Sequence, residues 1–151
     1  MCIRDSNDSG SEYILKKIKS FSSKNKNVIL IKSMGRKDYW GFMNLVKANY
    51  RVICIGNSSS GIKETAAFHC PTLNIGDRQK GRMAPGNVLN CPADSNKIFK
   101  IVTKMIENRN FFEKCKKIKN PYGIGNAGKK IATHITNLKL NENILIKKIT
   151  I

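Results

Sequence analysis

Residues 56–64 read Gly-Asn-Ser-Ser-Ser-Gly-Ile-Lys-Glu, a combination of residue types that binds phosphate. The stretch follows the β-branched apolar run 51–55 and precedes a helical pattern. Such a turn presents serine hydroxyls, unpaired backbone N–H groups and the positive end of a helix dipole to an anion. Gly56 and Gly61 allow the backbone to approach a ligand closely. The sequence therefore predicts a phosphate or nucleotide site, although the same serines could serve only as helix N-caps.

A second loop with anion-binding residues follows the next predicted strand. The run 72–76 leads into Asp-Arg-Gln-Lys-Gly-Arg at 77–82, which is compact and basic. Ligands of open α/β sheets bind outside the carboxyl ends of the strands, and both loops fall at such ends. We therefore expect the two loops to offer complementary groups to one anion.

Helical and strand patterns alternate along the chain, which predicts an α/β fold with a doubly wound parallel sheet. The predicted strands are 28–31, 51–55, 72–76 and a short one at 88–89. The predicted helices are 11–21, about 38–48, 60–69, 95–108, 111–118 and 126–138. Ser95 is the expected N-cap of the helix that begins there. The second helix has an apolar face of Tyr39, Phe42, Met43 and Val46, with Trp40 at its edge.

These motifs resemble the C-terminal half of the hydrolysing UDP-N-acetylglucosamine 2-epimerases of nonulosonic and sialic acid biosynthesis. The resemblance rests on GNSSSGIKETAAFHCPTLNIGDRQKGR at 56–82, on Asn-Val-Leu at 87–89 and on Asn-Pro-Tyr-Gly-Ile-Gly-Asn-Ala at 120–127. Weaker matches at 8–11 and 33–39 extend it from about residue 7 to residue 138. Residues 1–6 do not fit the pattern, and the tail 139–151 is not diagnostic.

The resemblance implies two Rossmann-like halves that close on a nucleotide sugar, the arrangement called GT-B. The chain has 151 residues and 17.0 kDa, which suffices for one domain with a core. We therefore expect residues 7–138 to be the UDP-binding second half of a two-domain enzyme. The missing N-terminal domain would be its partner, and the chain would be a truncated or partial gene product.

The residues that match UDP-binding groups of the family lie in the two loops: Ser58, Ser59, Ser60, Gly61, Glu64 and Arg78, with Asn57 and Arg82 as weaker candidates. Ser58 and Ser59 match the serines that bind the diphosphate, with help from the backbone N–H groups of Ser60 and Gly61. Glu64 matches a carboxylate that accepts hydrogen bonds from the ribose hydroxyls, which offer two donors to its two oxygens. The alternative for Glu64 is stabilisation of the helix dipole, about 0.3–1 kcal/mol. Arg78 matches an arginine that contacts the nucleotide and could pair with two phosphate oxygens.

The reaction implied by the resemblance converts a UDP-acetamido sugar to a ManNAc-type sugar and UDP. A base removes the proton at C2 as UDP leaves, and water adds to the resulting glycal with inversion at C2. The family's acidic residues belong to the absent half, and its catalytic histidine lies just upstream of this chain. We therefore assign no catalytic residue here, neither His69 nor His134, and expect no cofactor. We therefore expect this chain to bind the nucleotide without catalysing the reaction. The full enzyme could form a homo-oligomer.

The net charge of +18 and the pI near 10.0 raise the alternative of a basic nucleic-acid-binding module. However, six arginines and 22 lysines are spread along the chain without an arginine and aromatic stripe. No specific nucleic-acid partner is therefore expected. A GT-B glycosyltransferase domain is a further alternative, which the pairing of the two loops disfavours.

Five cysteines, odd in number and widely spaced, indicate neither a disulfide framework nor a zinc site. His69 and His134 lack companions that would suggest a metal site. No apolar run approaches the roughly 20 residues that span a bilayer, and the N-terminus lacks a secretory apolar core. We therefore expect a cytoplasmic protein with no membrane partner and no metal.

Overall fold

The structure is a computed structural model that describes residues 10–138. Its sheet contains three parallel strands, β1 (Cys54–Gly56), β2 (Thr72–Ile75) and β3 (Val88–Cys91), in the order β1-β2-β3. The helices are α1 (Ser11–Lys24), α2 (Gly35–Asn44), α3 (Ser60–Lys63), α4 (Ser95–Glu107), α5 (Arg109–Lys116) and α6 (Ala127–Thr136). Single 3₁₀ turns extend α2 and α3, over Leu45–Ala48 and Thr65–Phe68. The prediction of a Rossmann-like α/β fold with a parallel sheet is confirmed. Residues 1–9 and 139–151, including Cys2 and the unmatched ends, lie outside the described range.

The chain divides into two compact units, residues 1–119 and 120–151. The first unit contains the sheet and helices α1 to α5. The second unit contains α6, whose Ile131 and Ile135 are exposed. In the first unit α1 has no fully buried residue, and its apolar residues Tyr13 and Phe21 are more than half exposed.

The register of the sheet brings the carboxyl ends of its strands to one edge. Gly56 of β1 pairs with Asn74 of β2, which pairs with Asn90 of β3. β2 is the central strand; three of its four residues are buried, and the fourth is partly buried. Leu73 of β2 is fully buried in the core between the sheet and α4. The loops that follow β1 and β2 therefore begin side by side.

The N-cap of α4 differs from the prediction. Asp94 has an extended backbone, and its carboxylate accepts a hydrogen bond of 2.7 Å from the backbone N–H of Lys97. Ser95, the expected cap, is already the first helical residue. A capping side chain must come from the last residue outside the helix, and here that residue is Asp94.

The predicted strand at 28–31 is wrong. The segment pairs with no strand among the described residues, and the side chain of Ile29 is 84% exposed. A β-branched run becomes a strand only where a neighbour supplies a hydrogen-bonding ladder, and composition alone does not reveal that neighbour. The strand predicted at 51–55 begins later, at Cys54, because the N–H of Val52 donates to the C=O of Tyr50 in a local turn.

The segment after β1 forms two short helices where one was predicted over 60–69. α3 ends at Lys63, and the 3₁₀ turn that follows ends at His69, whose φ of 58° places it in the left-handed region. The hydroxyl of Thr65 donates to the C=O of Gly61 at 2.8 Å. This contact connects the two short helices at the point where the α-helical hydrogen-bond pattern changes to the 3₁₀ pattern.

A buried amide connects these helices to the sheet. Asn87 is fully buried, and its Nδ2 donates to Thr65 Oγ1 at 3.0 Å and to the C=O of Cys70 at 2.7 Å. Asn87 lies directly before β3, whereas Cys70 lies just before β2. Because buried polar groups are costly when unpaired, this side chain determines how the α3 region sits against both strands.

We predict that Asn87→Ala lowers the free energy of unfolding by about 1–3 kcal/mol, since it leaves the Cys70 carbonyl and the Thr65 hydroxyl without this donor. Chemical denaturation measures the change. Asn96→Ala is the matched control, because Asn96 is exposed on α4 and should change stability by less than about 0.5 kcal/mol. Equal stability of the two variants would contradict the role of Asn87.

Candidate functional site

The turn between β1 and α3 is closed by its own hydrogen bonds. The hydroxyl of Ser58 accepts a bond of 3.3 Å from the N–H of Ser60, and the C=O of Ser58 accepts one of 3.1 Å from the N–H of Gly61. These contacts close the turn itself, whereas the N-cap residue of α3 is Ser59, whose side chain makes no capping hydrogen bond. The capping function that the sequence left open as an alternative is therefore not observed in α3. The hydroxyl of Ser59 makes no hydrogen bond within the described residues. The turn consequently offers one hydroxyl without a partner and one long, weak internal contact.

Gly61 packs closely against the sheet. It is buried, and a Cβ at this position would lie 3.2 Å from Cγ2 of Thr72. A side chain here would require the Thr72 side chain to shift by a few tenths of an ångström. The structure thus shows a close approach of Gly61 to the sheet, and the predicted approach to a ligand stays a prediction.

The two candidate loops are joined by Gln79. Its side chain is only 6% exposed, and its Nε2 donates to the C=O of Asn57 at 2.8 Å. Asn57 precedes Ser58, while Arg78 precedes Gln79. This hydrogen bond holds the loop after β1 and the loop after β2 together, as the position of both loops at strand ends predicts.

The two arginines of the second loop are exposed. The guanidinium groups of Arg78 and Arg82 form no hydrogen bond or ion pair with any residue of the described range, although the backbone N–H of Arg82 donates to the C=O of Gln79 at 3.2 Å. The loop turns through Gly76 and Gly81, with φ values of 74° and 82° that favour glycine. Both guanidinium groups are thus available to an anion, and Arg78 is adjacent to the residue that joins the loops.

Helix α2 supplies two aromatic residues to the other side of the turn. Trp40 Nε1 donates to Glu64 Oε2 at 2.6 Å, and the hydroxyl of Ser60 donates to Tyr39 Oη at 2.8 Å. Burial raises the pKa of Tyr39 to about 12, with the Ser60 hydrogen bond acting in the opposite direction. The phenol therefore stays neutral at physiological pH. Glu64 is partly buried beside these groups.

Several of these contacts were absent from the sequence prediction. Gln79 lies in a loop that is otherwise polar, so no pattern distinguishes it. Asn74 and Asn90 do leave a signal, because each is the third residue of a short apolar strand. They are register partners, and Asn74 Nδ2 donates to Asn90 Oδ1 at 2.9 Å. Asn74 is 4% exposed and lies at the edge from which both loops emerge.

The histidines and cysteines show no arrangement for chemistry in the described part of the chain. His69 Nδ1 lies 3.2 Å from the C=O of Cys115, a structural contact. Burial raises the pKa of Cys70 to about 12 and that of Cys115 to about 11, so both thiols are poor nucleophiles at neutral pH. Within residues 10–138 there is no group of three metal-binding side chains. None of the helices in this range is both long enough and apolar enough to cross a membrane.

The sequence matches the model of a protein family described as UDP-N-acetylglucosamine 2-epimerase over residues 3–136. Polysialic acid biosynthesis protein P7 of Escherichia coli is 36% identical over 120 residues, 80% of this chain and 29% of that protein. GDP/UDP-N,N'-diacetylbacillosamine 2-epimerase (hydrolyzing) of Campylobacter jejuni is 45% identical over 60 residues, 40% of this chain and 14% of that protein. UDP-N-acetylglucosamine 2-epimerase of Neisseria meningitidis serogroup A is 31% identical over 119 residues, 77% of this chain and 30% of that protein. The chain thus spans less than a third of the length of these relatives.

We predict that Tyr39 makes the protein less stable at alkaline pH. Between the ordinary pKa of 10.0 and about 12, the unfolded chain loses the phenolic proton while the folded chain keeps it. The folded state then binds more protons, so the free energy of unfolding falls as pH rises through this window. Tyr39→Phe removes the effect, and its stability should fall less steeply than that of the wild type.

Denaturant titrations at pH 9 to 12 measure both slopes. Tyr50→Phe, which changes a tyrosine that is 63% exposed, is the control and should follow the wild type. If the free energy of unfolding fell equally steeply with pH in the wild type and in Tyr39→Phe, the pKa of Tyr39 would not be raised in the folded state.

Proposed function

The chain belongs to the UDP-N-acetylglucosamine 2-epimerase family, and on that premise we propose that it binds the UDP moiety of a UDP-acetamido sugar at the edge of its sheet. The hydrogen bond between Gln79 and Asn57 carries this proposal, because it joins the serine turn to the arginine loop. A hydroxyl-lined helix N-terminus and a free guanidinium in neighbouring loops are complementary to a diphosphate.

Each part of the nucleotide has a proposed group in this arrangement. Ser58 and Ser59 bind the diphosphate, and Arg78 pairs with its oxygens. The Ser60 N–H to Ser58 Oγ contact is 3.3 Å long, so an incoming phosphate oxygen can replace it at small cost. Glu64 accepts hydrogen bonds from the ribose hydroxyls. Asn57 and Arg82 are weaker candidates, Asn57 through its backbone and Arg82 through its charge.

We propose that the whole protein performs a hydrolysing C2 epimerisation. A base takes the C2 proton while the C1–O bond to UDP breaks, and water then adds to the glycal to give a ManNAc-type sugar. Arg78 and the serine turn stabilise the negative charge that develops on the departing diphosphate. In this proposal the groups that transfer protons belong to a region of the whole protein that corresponds to the part of the relatives outside the match to this chain. The name of the Campylobacter jejuni relative supports the hydrolysing reaction.

A polyanion is the competing ligand, since the net charge of +18 attracts any of them. Thermal unfolding with UDP and with single-stranded RNA separates the two. UDP at a hundred times its Kd should stabilise the chain by about 2.7 kcal/mol, at low and moderate salt alike. Stabilisation by RNA alone, falling steeply with salt, would overturn the proposal and favour nucleic-acid binding.

We predict that Glu64→Ala weakens UDP binding about tenfold or more without unfolding the domain, because charged hydrogen bonds to the ribose are lost. Isothermal titration calorimetry measures the affinity. Glu107→Ala, which removes an exposed carboxylate at the end of α4, is the control for the change in net charge. Unchanged UDP affinity of Glu64→Ala would remove Glu64 from the site.

The two arginines of the second loop give a further prediction. Both are exposed and each substitution by Ala removes one positive charge, so a purely long-range effect would be equal for the two. We expect Arg78→Ala to weaken UDP binding about tenfold or more and Arg82→Ala much less, because a direct charged hydrogen bond contributes about 1.5–3 kcal/mol. Equal losses in calorimetry would contradict a direct contact of Arg78.

A further inference from the structure

Two neighbouring aromatic residues of α2 hold the helix that follows β1. Tyr39 accepts a hydrogen bond from the hydroxyl of Ser60, and Trp40 donates one to the carboxylate of Glu64. Ser60 and Glu64 are four residues apart, so they lie on the same side of the helical segment. Helix α2 is therefore attached to this segment at two points along one side.

The ring of Trp40 is fixed independently of Glu64. It packs against the ring of Phe68 with 5.9 Å between centroids and 44° between planes. The guanidinium carbon of Arg36 lies 5.1 Å from the centre of the Trp40 ring, within the range of a cation–π contact. An indole has a single N–H donor in the plane of its ring, so fixing the ring also fixes the direction of the hydrogen bond.

This bond leaves Glu64 with one oxygen for a ligand. Trp40 occupies Oε2 at 2.6 Å, and no described residue donates to Oε1. The donor is neutral, so the carboxylate keeps its negative charge for a second partner. A charge-assisted bond of this length restricts the rotation of the carboxylate. Without Trp40, the side chain of Glu64 would sample several rotamers on the surface of the helix.

We propose that Trp40 is a positioning residue that orients Glu64 toward the ribose diol of the nucleotide. The proposal rests on the proposed function, because it assigns Glu64 a ribonucleotide partner. Trp40 acts through Glu64 and does not touch the ligand. Its effect on binding therefore depends on Glu64 and on the ribose hydroxyls.

A double-mutant cycle with UDP tests this assignment on the 151-residue chain. Trp40→Phe keeps an aromatic ring for Phe68 and Arg36 but has no N–H. We expect it to lower UDP affinity about tenfold, the size of a hydrogen bond to a charged group. In the Glu64→Ala background the same substitution should change affinity little, because the two residues act as a unit. Tyr50→Phe, which removes a polar hydrogen from an exposed aromatic ring, should bind like the wild type.

A second probe distinguishes positioning from general loosening of the fold. The wild type should prefer UDP to 2′-deoxy-UDP, and Trp40→Phe should lose most of that preference. A merely structural loss would weaken both ligands equally and would lower the thermal unfolding midpoint without changing the preference.

Wild-type affinity for UDP in Trp40→Phe would overturn the proposal. The proposal would also be overturned if the losses of UDP affinity in Trp40→Phe and Glu64→Ala multiplied in the double variant, since that result would indicate direct contact of Trp40 with the ligand. Both of these outcomes leave the proposed function intact. Failure of the wild type itself to bind UDP would overturn the proposed function and the role of Trp40 together, so the two failures are distinguishable.

Discussion

The parallel register of β1, β2 and β3 determines where the candidate ligand-binding residues lie. Gly56, Asn74 and Asn90 are aligned across the sheet, so the loops after β1 and β2 leave it at the same edge. Gln79 then joins these loops by its bond to Asn57. A register slip of one residue would reverse the faces of Asn74 and Leu73 and would separate the loops. The site thus depends on the sheet before it depends on any ligand-binding side chain.

Buried amides link this sheet to the surface loops. Asn87, Asn74 and Gln79 are each at least nine-tenths buried, and each donates at least one hydrogen bond to a neighbouring segment. Hydrogen bonds are directional, whereas hydrophobic contacts in the core are not. These amides therefore specify how the segments are placed relative to one another, while the core holds the segments together. Exposed charge has a different function. Arg78 is exposed, whereas the next residue, Gln79, is buried and holds the loop to Asn57.

Local sequence patterns predicted the strands β2 and β3 and most of the helices, since glycine, hydroxyl and apolar residues act over a few positions. They placed a single helix over 60–69, where α3 and a separate 3₁₀ turn form. They failed at residues 28–31, where an apolar β-branched run has no strand neighbour in the described range. They also missed Trp40 as a partner of Glu64, because the residues are 24 positions apart and meet only through the packing of α2. The same holds for Gln79 and Asn57, which are 22 positions apart. Side-chain contacts between distant segments require the fold, and the candidate site is built from several of them.

We propose that UDP binds where the loops after β1 and β2 meet. A ¹H–¹⁵N NMR titration of the isotopically labelled chain with UDP tests it most directly, since each backbone amide reports its own surroundings. We expect the largest shift changes at residues 57–61 and 76–81, with Glu64 and the indole N–H of Trp40, the only tryptophan, changing with them. Changes confined to lysine-rich surfaces such as α5 and α6, with the loop amides unmoved, would contradict it.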